Sequence, residues 1–333
     1  ENPGTYYGVD QYNNPYNTEA YEVTLGPEIW HQTSGEVTHF IAGGSTGGTV
    51  SGTGRYLKSQ NDKVRVVMAD PHGSVFWDHI VNEVPADDVK VSKSWEMEGV
   101  GKDSIPGAFD INVIDGIVRG NDEDAFAMCR EVAANDGLLL GGSAGLNLHA
   151  ARVLSGEVED GAVIVTVFPD NGVKYLSKIF NDSWLESKGL QGAAEGNGAV
   201  SEDVATKPPM ESTVTWKAGV DPYIKPKTPE PDLETRDESL KNGVYRVDSP
   251  LVTPQLIGGT PLIDLSQYSL NPKVKIMCKA EYLNPSGSIK DRIAQHIIAQ
   301  AESSGQLKPG MTVVAATSGN TGAAIAMASA LRG

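Results

Sequence analysis

Short runs of β-branched and aliphatic residues alternate along most of the chain with longer segments of helical periodicity, and Gly-rich turns separate them. Such continuous apolar runs are typical of strands that are buried on both faces of a parallel sheet. The predicted strands are 38–42, 64–69, 138–140, 162–168, 274–279 and 312–316. The predicted helices are 122–135, 146–153, 291–303, one that passes through Arg55 and Leu57, and one that begins near Ala323. This order of elements predicts an α/β fold with mainly parallel sheets.

The alternation stops in the middle of the chain. Six prolines fall between Pro208 and Pro231, among charged and hydroxyl residues and with few aliphatic ones. Such a segment cannot bury enough apolar surface to offset the entropy of ordering it, so we predict a linker. The chain is thereby divided into an α/β segment at 1–190, a Pro-rich acidic linker at 191–247 and a second α/β segment at 248–333.

Charge and cysteine content narrow the function classes. The 333 residues include 27 Lys and Arg against 43 Asp and Glu, and the net charge of -16 argues against binding to nucleic acid. Cys129 and Cys278 form no CxxC pair and lie at no metal-ligand spacing, so we expect a reduced, cytoplasmic protein without a structural metal. The longest apolar stretches have the length of strands, so no membrane-spanning segment is expected.

A glycine-rich turn, GGSTGGTVSGTG at 43–54, joins the strand 38–42 to the helix that follows it. Backbone N–H groups at such a turn, together with Ser and Thr hydroxyls, form a cup for a phosphate. Gly43 and Gly48 have the spacing of a Walker A motif, but Thr49 stands where that motif needs Lys, which disfavours a nucleotide. The alternative is a merely flexible turn. The candidate phosphate ligands are Ser45, Thr46, Gly47, Gly48 and Thr49.

The segment NPSGSIKDR at 284–292 places Lys290 in the first turn of a predicted helix. The helix dipole favours anions at that end, so a lysine is unfavourably placed there. Its position beside a small-residue turn fits a lysine kept partly neutral to form a Schiff base. A solvated surface charge is the ordinary alternative.

Two more strand-to-helix turns carry small polar residues. The segment TSGNTG at 317–322 offers N–H groups, hydroxyls and an amide to a small anion such as a carboxylate, or simply caps its helix. In LLLGGSAG at 138–145, Ser143 is either a helix cap or a single hydroxyl presented to a ring. Together with the phosphate cup and Lys290, these turns describe a site for pyridoxal phosphate.

In this combination the chain resembles the cystathionine β-synthase and O-acetylserine sulfhydrylase (cysteine synthase) family, which belongs to the tryptophan-synthase-β-like enzymes of fold type II. The resemblance covers all of the chain except the linker. It implies two three-layer α/β/α subdomains with mainly parallel sheets, incomplete in this chain, and pyridoxal 5'-phosphate as the cofactor.

The resemblance also implies roles for individual residues. Lys290 matches the Schiff-base lysine, Asn320 matches the partner of the cofactor's ring hydroxyl, and Ser143 matches the partner of the pyridine nitrogen. The phosphate loop matches at 45–49, with Ser45 where the family usually has Gly. The residues that match substrate-binding positions are Gln11, Tyr12, Gly99, Thr317, Ser318, Gly319 and Thr321.

Several details are more similar to cystathionine β-synthase than to the cysteine synthases. Tyr12 stands where cysteine synthases tend to carry Phe, and DPHGS at 70–74 follows the pattern Asp-Pro-x-Gly-Ser. Lys102 replaces an aromatic residue expected after the glycine loop 99–101. The resemblance implies that small amino-acid and thiol substrates, L-serine and homocysteine, give cystathionine and water in transsulfuration and cysteine biosynthesis. The alternatives are a cysteine synthase that uses O-acetylserine and sulfide, and a non-catalytic tandem module.

The order of the motifs differs from that of the family. There the lysine and TSGNTG segments precede the phosphate loop, whereas here Lys290 follows Ser143, and the family has a further piece between Gly333 and Glu1. We therefore expect the C-terminal part of one catalytic module, a linker and the N-terminal part of a second module, within a longer tandem protein. A circular permutant is the less favoured alternative. The expected assembly is a homodimer or a pairing of tandem modules.

Overall fold

The computed structural model describes residues 4–193, 213–224, 256–317 and 319–332. The strands are β1 (Tyr6–Gly8), β2 (His39–Gly43), β3 (Arg65–Pro71), β4 (Gly116–Gly120), β5 (Val163–Val167), β6 (Val214–Trp216), β7 (Leu262–Asp264), β8 (Lys275–Lys279) and β9 (Thr312–Val314). The α-helices are α1 (Pro15–Val23), α2 (Leu25–Gln32), α3 (Gly48–Gln60), α4 (Phe76–Ile80), α5 (Asp122–Asp136), α6 (Gly142–Ser155), α7 (Asp182–Ser187), α8 (Lys290–Ser303) and α9 (Asn320–Ala330).

Seven strands form the central sheet in the order β6-β4-β3-β2-β5-β8-β7. The five inner strands run parallel, and the edge strands β6 and β7 are antiparallel to their neighbours. β8 lies beside β5 over five residue pairs, from Val163 and Lys275 to Val167 and Lys279. The two predicted half-modules thus share one sheet within this chain. β1 and β9, again one from each half, form a separate two-stranded parallel sheet.

Alternate residues of the inner strands enter two separate cores, one on each face of the sheet. On one face Phe40, Val66 and Val165 join buried residues of α1, α2, α3 and α8, and α9 packs against α8 in the same core. On the other face Ile41 and Ile164 join buried residues of α5 and α6. The layers are helix, sheet and helix, so the predicted α/β class with mainly parallel sheets is confirmed.

The predicted strand 138–140 is wrong. Only Leu140 makes a bridge, to Asn171, because this stretch is confined between two helices. Gly137, at φ +68°, ends α5, and α6 begins at Gly142, four residues earlier than the predicted start at Leu146.

Part of the predicted linker packs against the sheet. Residues 214–216 form β6, which pairs antiparallel with β4. Val214 is buried there, and the ring of Trp216 lies edge-on to that of His39, with centroids 6.2 Å apart. These contacts stabilise the short strand against the sheet although the surrounding sequence is polar. Residues 194–212 and 225–247 of the predicted linker lie outside the described ranges.

None of the helices in the described ranges combines the length and the apolar character that crossing a membrane requires.

Candidate active site

The loops that follow β5 and β8 meet at the carboxyl edge of the sheet. Asp170, just after β5, forms a β-bridge with Ser288, and the Ile289 N–H donates to the Pro169 carbonyl at 2.8 Å. The carboxyl ends of adjacent parallel strands face one edge, which is where α/β proteins bind ligands. Lys290, the first residue of α8, is therefore carried to the end of β5 although 120 residues separate it from Asp170 in the chain.

Lys290 is half-buried. Burial lowers the pKa of its ammonium to about 8, and the negative charge of Asp170 opposes that shift. Asp170 itself is 1 % exposed, and burial raises the pKa of its carboxyl group even though two hydrogen bonds favour the charged form. Those bonds come from the Tyr175 hydroxyl at 2.9 Å and the Asn320 amide at 2.8 Å. The lysine, the carboxylate and the amide thus form one cluster built from both halves of the chain.

A second lysine reaches the same cluster. Lys174 lies in a 3-10 turn at Gly172–Tyr175, and its ammonium donates a hydrogen bond to the side-chain oxygen of Asn320. The ammonium is also 3.9 Å from the carboxylate of Asp170. Asn320 therefore connects the carboxylate to a cation that is not Lys290.

Ser143, at the second position of α6, is 7 % exposed and follows Gly141, which lies against this cluster, by two residues. A Cβ atom on Gly141 would lie 2.1 Å from Oδ1 of Asp170, so the glycine permits the close approach of this loop to the carboxylate. Among the described residues, that same Oδ1 is buried without a hydrogen-bond partner.

The predicted phosphate loop leads into the N-terminus of α3. Gly47 precedes the helix at φ +79° and, as its N-cap residue, has no side chain that could cap it. Thr46 is buried, and its Oγ1 accepts hydrogen bonds from the Asn17 side chain at 3.0 Å and the Gly48 N–H at 3.3 Å. Ser45 and Thr49 are half-buried. Hydrogen bonds to buried side chains thus hold this turn in place, and its role as a phosphate cup stays a prediction.

Neighbouring side chains leave no room for larger residues in this cup. A Cβ atom on Gly48 would lie 2.1 Å from Oδ1 of the fully buried Asn17. Nδ2 of Asn17 donates to the Gln11 carbonyl at 2.5 Å and so helps to hold this side chain in place. The Gly43 N–H donates to Oδ1 of Asn147 at 2.7 Å. Such close approach of the backbone to its surroundings is a function that only glycine serves.

Two predicted substrate-binding residues, one from each half, are in direct contact. The Thr321 hydroxyl donates to Oε1 of Gln11 at 2.7 Å, and both residues are buried. Tyr12, the next residue, is half-buried and lies under the ammonium of Lys102, which is 4.5 Å from the ring centroid.

The remaining predicted substrate residues are more exposed. Thr317 is exposed, and its hydroxyl accepts from the Gly319 N–H at 3.4 Å. Gly99 is exposed at φ +77°, with no atom near the place of a Cβ. Ser318 lies outside the described residues. The roles of all these residues stay predictions.

Four further residues shape the site and are not among the predicted ones, namely Asn17, Asp170, Lys174 and Tyr175. Asp170 had a usable signal, because an acidic residue directly after a buried parallel strand lies at the ligand-binding edge. Asn17 had none, since its partner Thr46 lies 29 positions away and the contact depends on how α1 packs on α3.

Comparison with known proteins bears on this geometry. A family model described as pyridoxal-phosphate dependent enzyme matches residues 1–170 and 253–333. The chain belongs to this family. The cofactor of the family is the one predicted from the motifs, so that prediction and the resemblance are confirmed.

Curated relatives match a little more than half of the chain. A cysteine synthase of Aquifex aeolicus is 40% identical over 189 residues, which are 54% of this chain and 51% of that protein. A cystathionine beta-synthase of Apis mellifera is 34% identical over 182 residues, 55% of this chain and 35% of that protein. An O-acetylserine dependent cystathionine beta-synthase of Bacillus subtilis is 37% identical over 172 residues, 52% of both chains. The matched region thus spans about half of these relatives or less.

The site fits the family's cofactor. The glycine cup at the uncapped start of α3 suits a phosphate, and the partly neutral Lys290 suits an aldehyde. Oδ1 of Asp170, which has no hydrogen-bond partner among the described residues, leaves a buried polar group in the same cluster as Lys290. In the described ranges no three His, Cys, Asp or Glu side chains are grouped to hold a metal ion.

Proposed function

We propose that this chain supplies the site of a pyridoxal-phosphate-dependent β-replacement enzyme, most simply one that converts L-serine and homocysteine to cystathionine and water. The observation that carries the proposal is the cluster of Lys290, Asp170 and Asn320, in which the lysine has a pKa of about 8. Such an amine is partly neutral at physiological pH, as a group that removes a carbon-bound proton must be.

The residues of the cup and the cluster would hold the cofactor. Its phosphate would lie against 45–49, its ring hydroxyl beside Asn320 and its ring nitrogen beside Ser143, while Lys290 would anchor it. When bound, the cofactor supplies an electron sink for a carbanion at Cα of the substrate. The Ser143 hydroxyl is neutral, which favours elimination over transamination.

The substrate's carboxylate would be bound by Gln11 and Thr321, which already lie together at 2.7 Å. Nζ of Lys290 would take the proton from Cα, and the Tyr12 hydroxyl would hydrogen-bond to the departing oxygen. The Cβ–O bond of serine breaks and a Cβ–S bond to homocysteine forms. The hydroxide and the thiol's proton leave as water, and Nζ of Lys290 returns the proton to Cα.

A second candidate is cysteine formation from O-acetylserine and sulfide. It is supported by relatives named cysteine synthase, one of them 40% identical over 189 residues. O-acetylserine loses acetate, which needs no proton donor, whereas serine must lose hydroxide. The Tyr12 hydroxyl therefore favours the serine reaction.

Location and assembly are further parts of the proposal. Cys129 and Cys278 are both free and buried, which supports the expected cytoplasmic location. The order of the motifs supports a pairing of tandem modules, and a homodimer is the other assembly that we propose.

The test is borohydride reduction of the chain with pyridoxal phosphate, followed by peptide mapping. We expect the reduced adduct on Lys290, its loss in Lys290→Ala and its retention in Lys308→Ala, which changes an exposed lysine. An adduct on Lys174 instead would contradict the assignment. Cystathionine from L-serine and homocysteine then supports the first candidate. Cysteine from O-acetylserine and sulfide, without turnover of L-serine, supports the second.

A further inference from the structure

An open pocket of about 380 Å³ lies beside the glycine loop 99–101. This volume is within the range of small-molecule sites. Its lining residues are Val91, Ser94, Trp95, Gly101, Lys102 and Asp103. The pocket therefore combines an aromatic wall with one cation and one anion.

The backbone of the pocket is tied to the candidate active site. The Gly101 N–H donates to the carbonyl of Gly44, in the phosphate loop, at 2.7 Å. The Trp95 indole N–H donates to the Val100 carbonyl at 2.9 Å, and the Lys102 N–H donates to the Ser74 hydroxyl at 3.1 Å. A ligand in the pocket would thus bind next to the cofactor's cup against a fixed wall.

Lys102 connects the pocket to the substrate residues. Its side chain is 22% exposed, and its ammonium lies 4.5 Å from the centroid of the Tyr12 ring, a distance at which the ring attracts a cation. Tyr12 adjoins Gln11, which contacts Thr321. The ammonium is therefore held at the boundary between the pocket and the place proposed for the first substrate.

The anion now paired with Lys102 is weakly held. Asp103 accepts from the ammonium at 3.0 Å, but its side chain is 71% exposed, and exposed ion pairs contribute little stability. An incoming carboxylate could take its place, since the displaced Asp103 would remain solvated.

We propose that Lys102 binds the carboxylate of the thiol substrate and so selects a thiol amino acid over sulfide. The inference rests on the proposed β-replacement function. Sulfide has no second charged group that Lys102 could recognise, whereas homocysteine presents a carboxylate separated from its thiol by a short chain. Because the ammonium lies 4.5 Å from the centroid of the Tyr12 ring, a thiol on such a short chain can reach Tyr12 while its carboxylate pairs with Lys102.

The test compares two thiols on the cofactor-loaded chain, with whichever first substrate it turns over. L-homocysteine has the carboxylate, and 3-aminopropanethiol is the same molecule without it. In Lys102→Gln we expect kcat/KM for homocysteine to fall about tenfold or more, mainly through KM, because one hydrogen bond between charged groups is lost. In the same variant, kcat/KM for 3-aminopropanethiol should change less than about twofold.

Three more variants sharpen the comparison. Lys90→Gln removes the same charge from an exposed position of the same segment and should leave kcat/KM for both thiols unchanged. Lys102→Arg keeps the cation and should restore most of the homocysteine activity. Asp103→Asn removes the competing carboxylate and should lower KM for homocysteine.

Two outcomes would overturn the inference while leaving the proposed function intact: equal losses for both thiols in Lys102→Gln, or no loss for either. Absence of turnover by the loaded wild-type chain with every thiol would remove the proposed function, and this inference with it.

Discussion

Replacement of Glu28 by Gln would test how the two halves of the chain are joined. Glu28, on α2, bonds to the Lys279 ammonium at 2.6 Å and to two nitrogens of Arg292 at 2.8 Å each. Lys279 and Arg292 belong to the second half, and their side chains are 0% and 1% exposed. Glu281 is also buried, and its carboxylate accepts a hydrogen bond from Arg292 at 2.7 Å. The cluster therefore contains two cations, Lys279 and Arg292, and two anions, Glu28 and Glu281. The substitution leaves these two buried cations facing one anion.

The magnitude follows from the pKa of Glu28. Burial alone would raise it, but the hydrogen bonds and charges of Arg292 and Lys279 outweigh burial and lower it from 4.5 to about 2. Since a tenfold change in proton affinity corresponds to about 1.4 kcal/mol, the charged form contributes about 3 kcal/mol to stability at neutral pH. Removal of one partner from a buried ion pair commonly costs about 3–5 kcal/mol, which agrees.

The pH dependence has a definite sign. The pKa is depressed in the folded state, so the contribution is complete above about 4.5, the pKa of an unfolded glutamate, and is lost as the pH falls toward about 2. The difference between wild type and Glu28→Gln should therefore be about 3 kcal/mol at pH 7 and shrink in acid.

Urea unfolding of both proteins at neutral and acidic pH measures this difference. Glu186→Gln, at an exposed position of α7, is the matched control and should change stability by less than about 0.5 kcal/mol. A Glu28→Gln loss below about 1 kcal/mol at neutral pH, or one that does not change with pH, would refute the reasoning.

Three further predictions concern the site itself. Asp170→Asn should lower the pKa of Lys290 below about 8, because the lost negative charge had raised it, and the pH dependence of cofactor capture would measure the shift. Thr49→Ala should weaken cofactor binding by roughly 1.5–3 kcal/mol if its hydroxyl contacts the phosphate, and an unchanged dissociation constant would contradict that contact. Gly47→Ala should destabilise the fold more than Gly189→Ala in thermal unfolding. Both glycines have positive φ, but only at Gly47 would the Cβ meet backbone, 2.8 Å from Cα of Phe109.

The strands and helices could be predicted where the apolar pattern was long. The runs 162–168 and 274–279 became β5 and β8, and 122–135 became α5 with one more residue. Prediction failed where a segment was too short for its pattern to decide, as at 138–140. It also failed at 214–216, because strand formation there depends on an available edge of β4 rather than on local composition.

The site, like the fold, could be predicted only where its signal is local in the sequence. Glycine and hydroxyl residues at strand ends predict a phosphate cup from local conformation alone. The structure begins α3 within the predicted turn 43–54, and phosphate binding there stays a prediction. The residues that fix this chemistry in space, Asn17 and Asp170, act through contacts that span 29 and 150 positions. Such contacts depend on which strands and helices become neighbours, and one sequence contains no direct signal of that.

The pairing of β5 with β8 is where fold and chemistry depend on each other. A shift of one residue in the pairing of β5 with β8 would turn every side chain of β8 to the opposite face of the sheet. Lys279 would then point away from Glu28, and Cys278 would leave the apolar core that it shares with Ile276. Apolar side chains alone discriminate weakly between registers, since Ile276, Met277 and Cys278 can all be buried. Burying a lysine without its carboxylate partner costs far more free energy of folding than exchanging one apolar side chain for another. The ion cluster of Glu28, Glu281, Lys279 and Arg292 therefore specifies the register in which β5 and β8 end at the same edge of the sheet. That register brings Lys290 to Asp170.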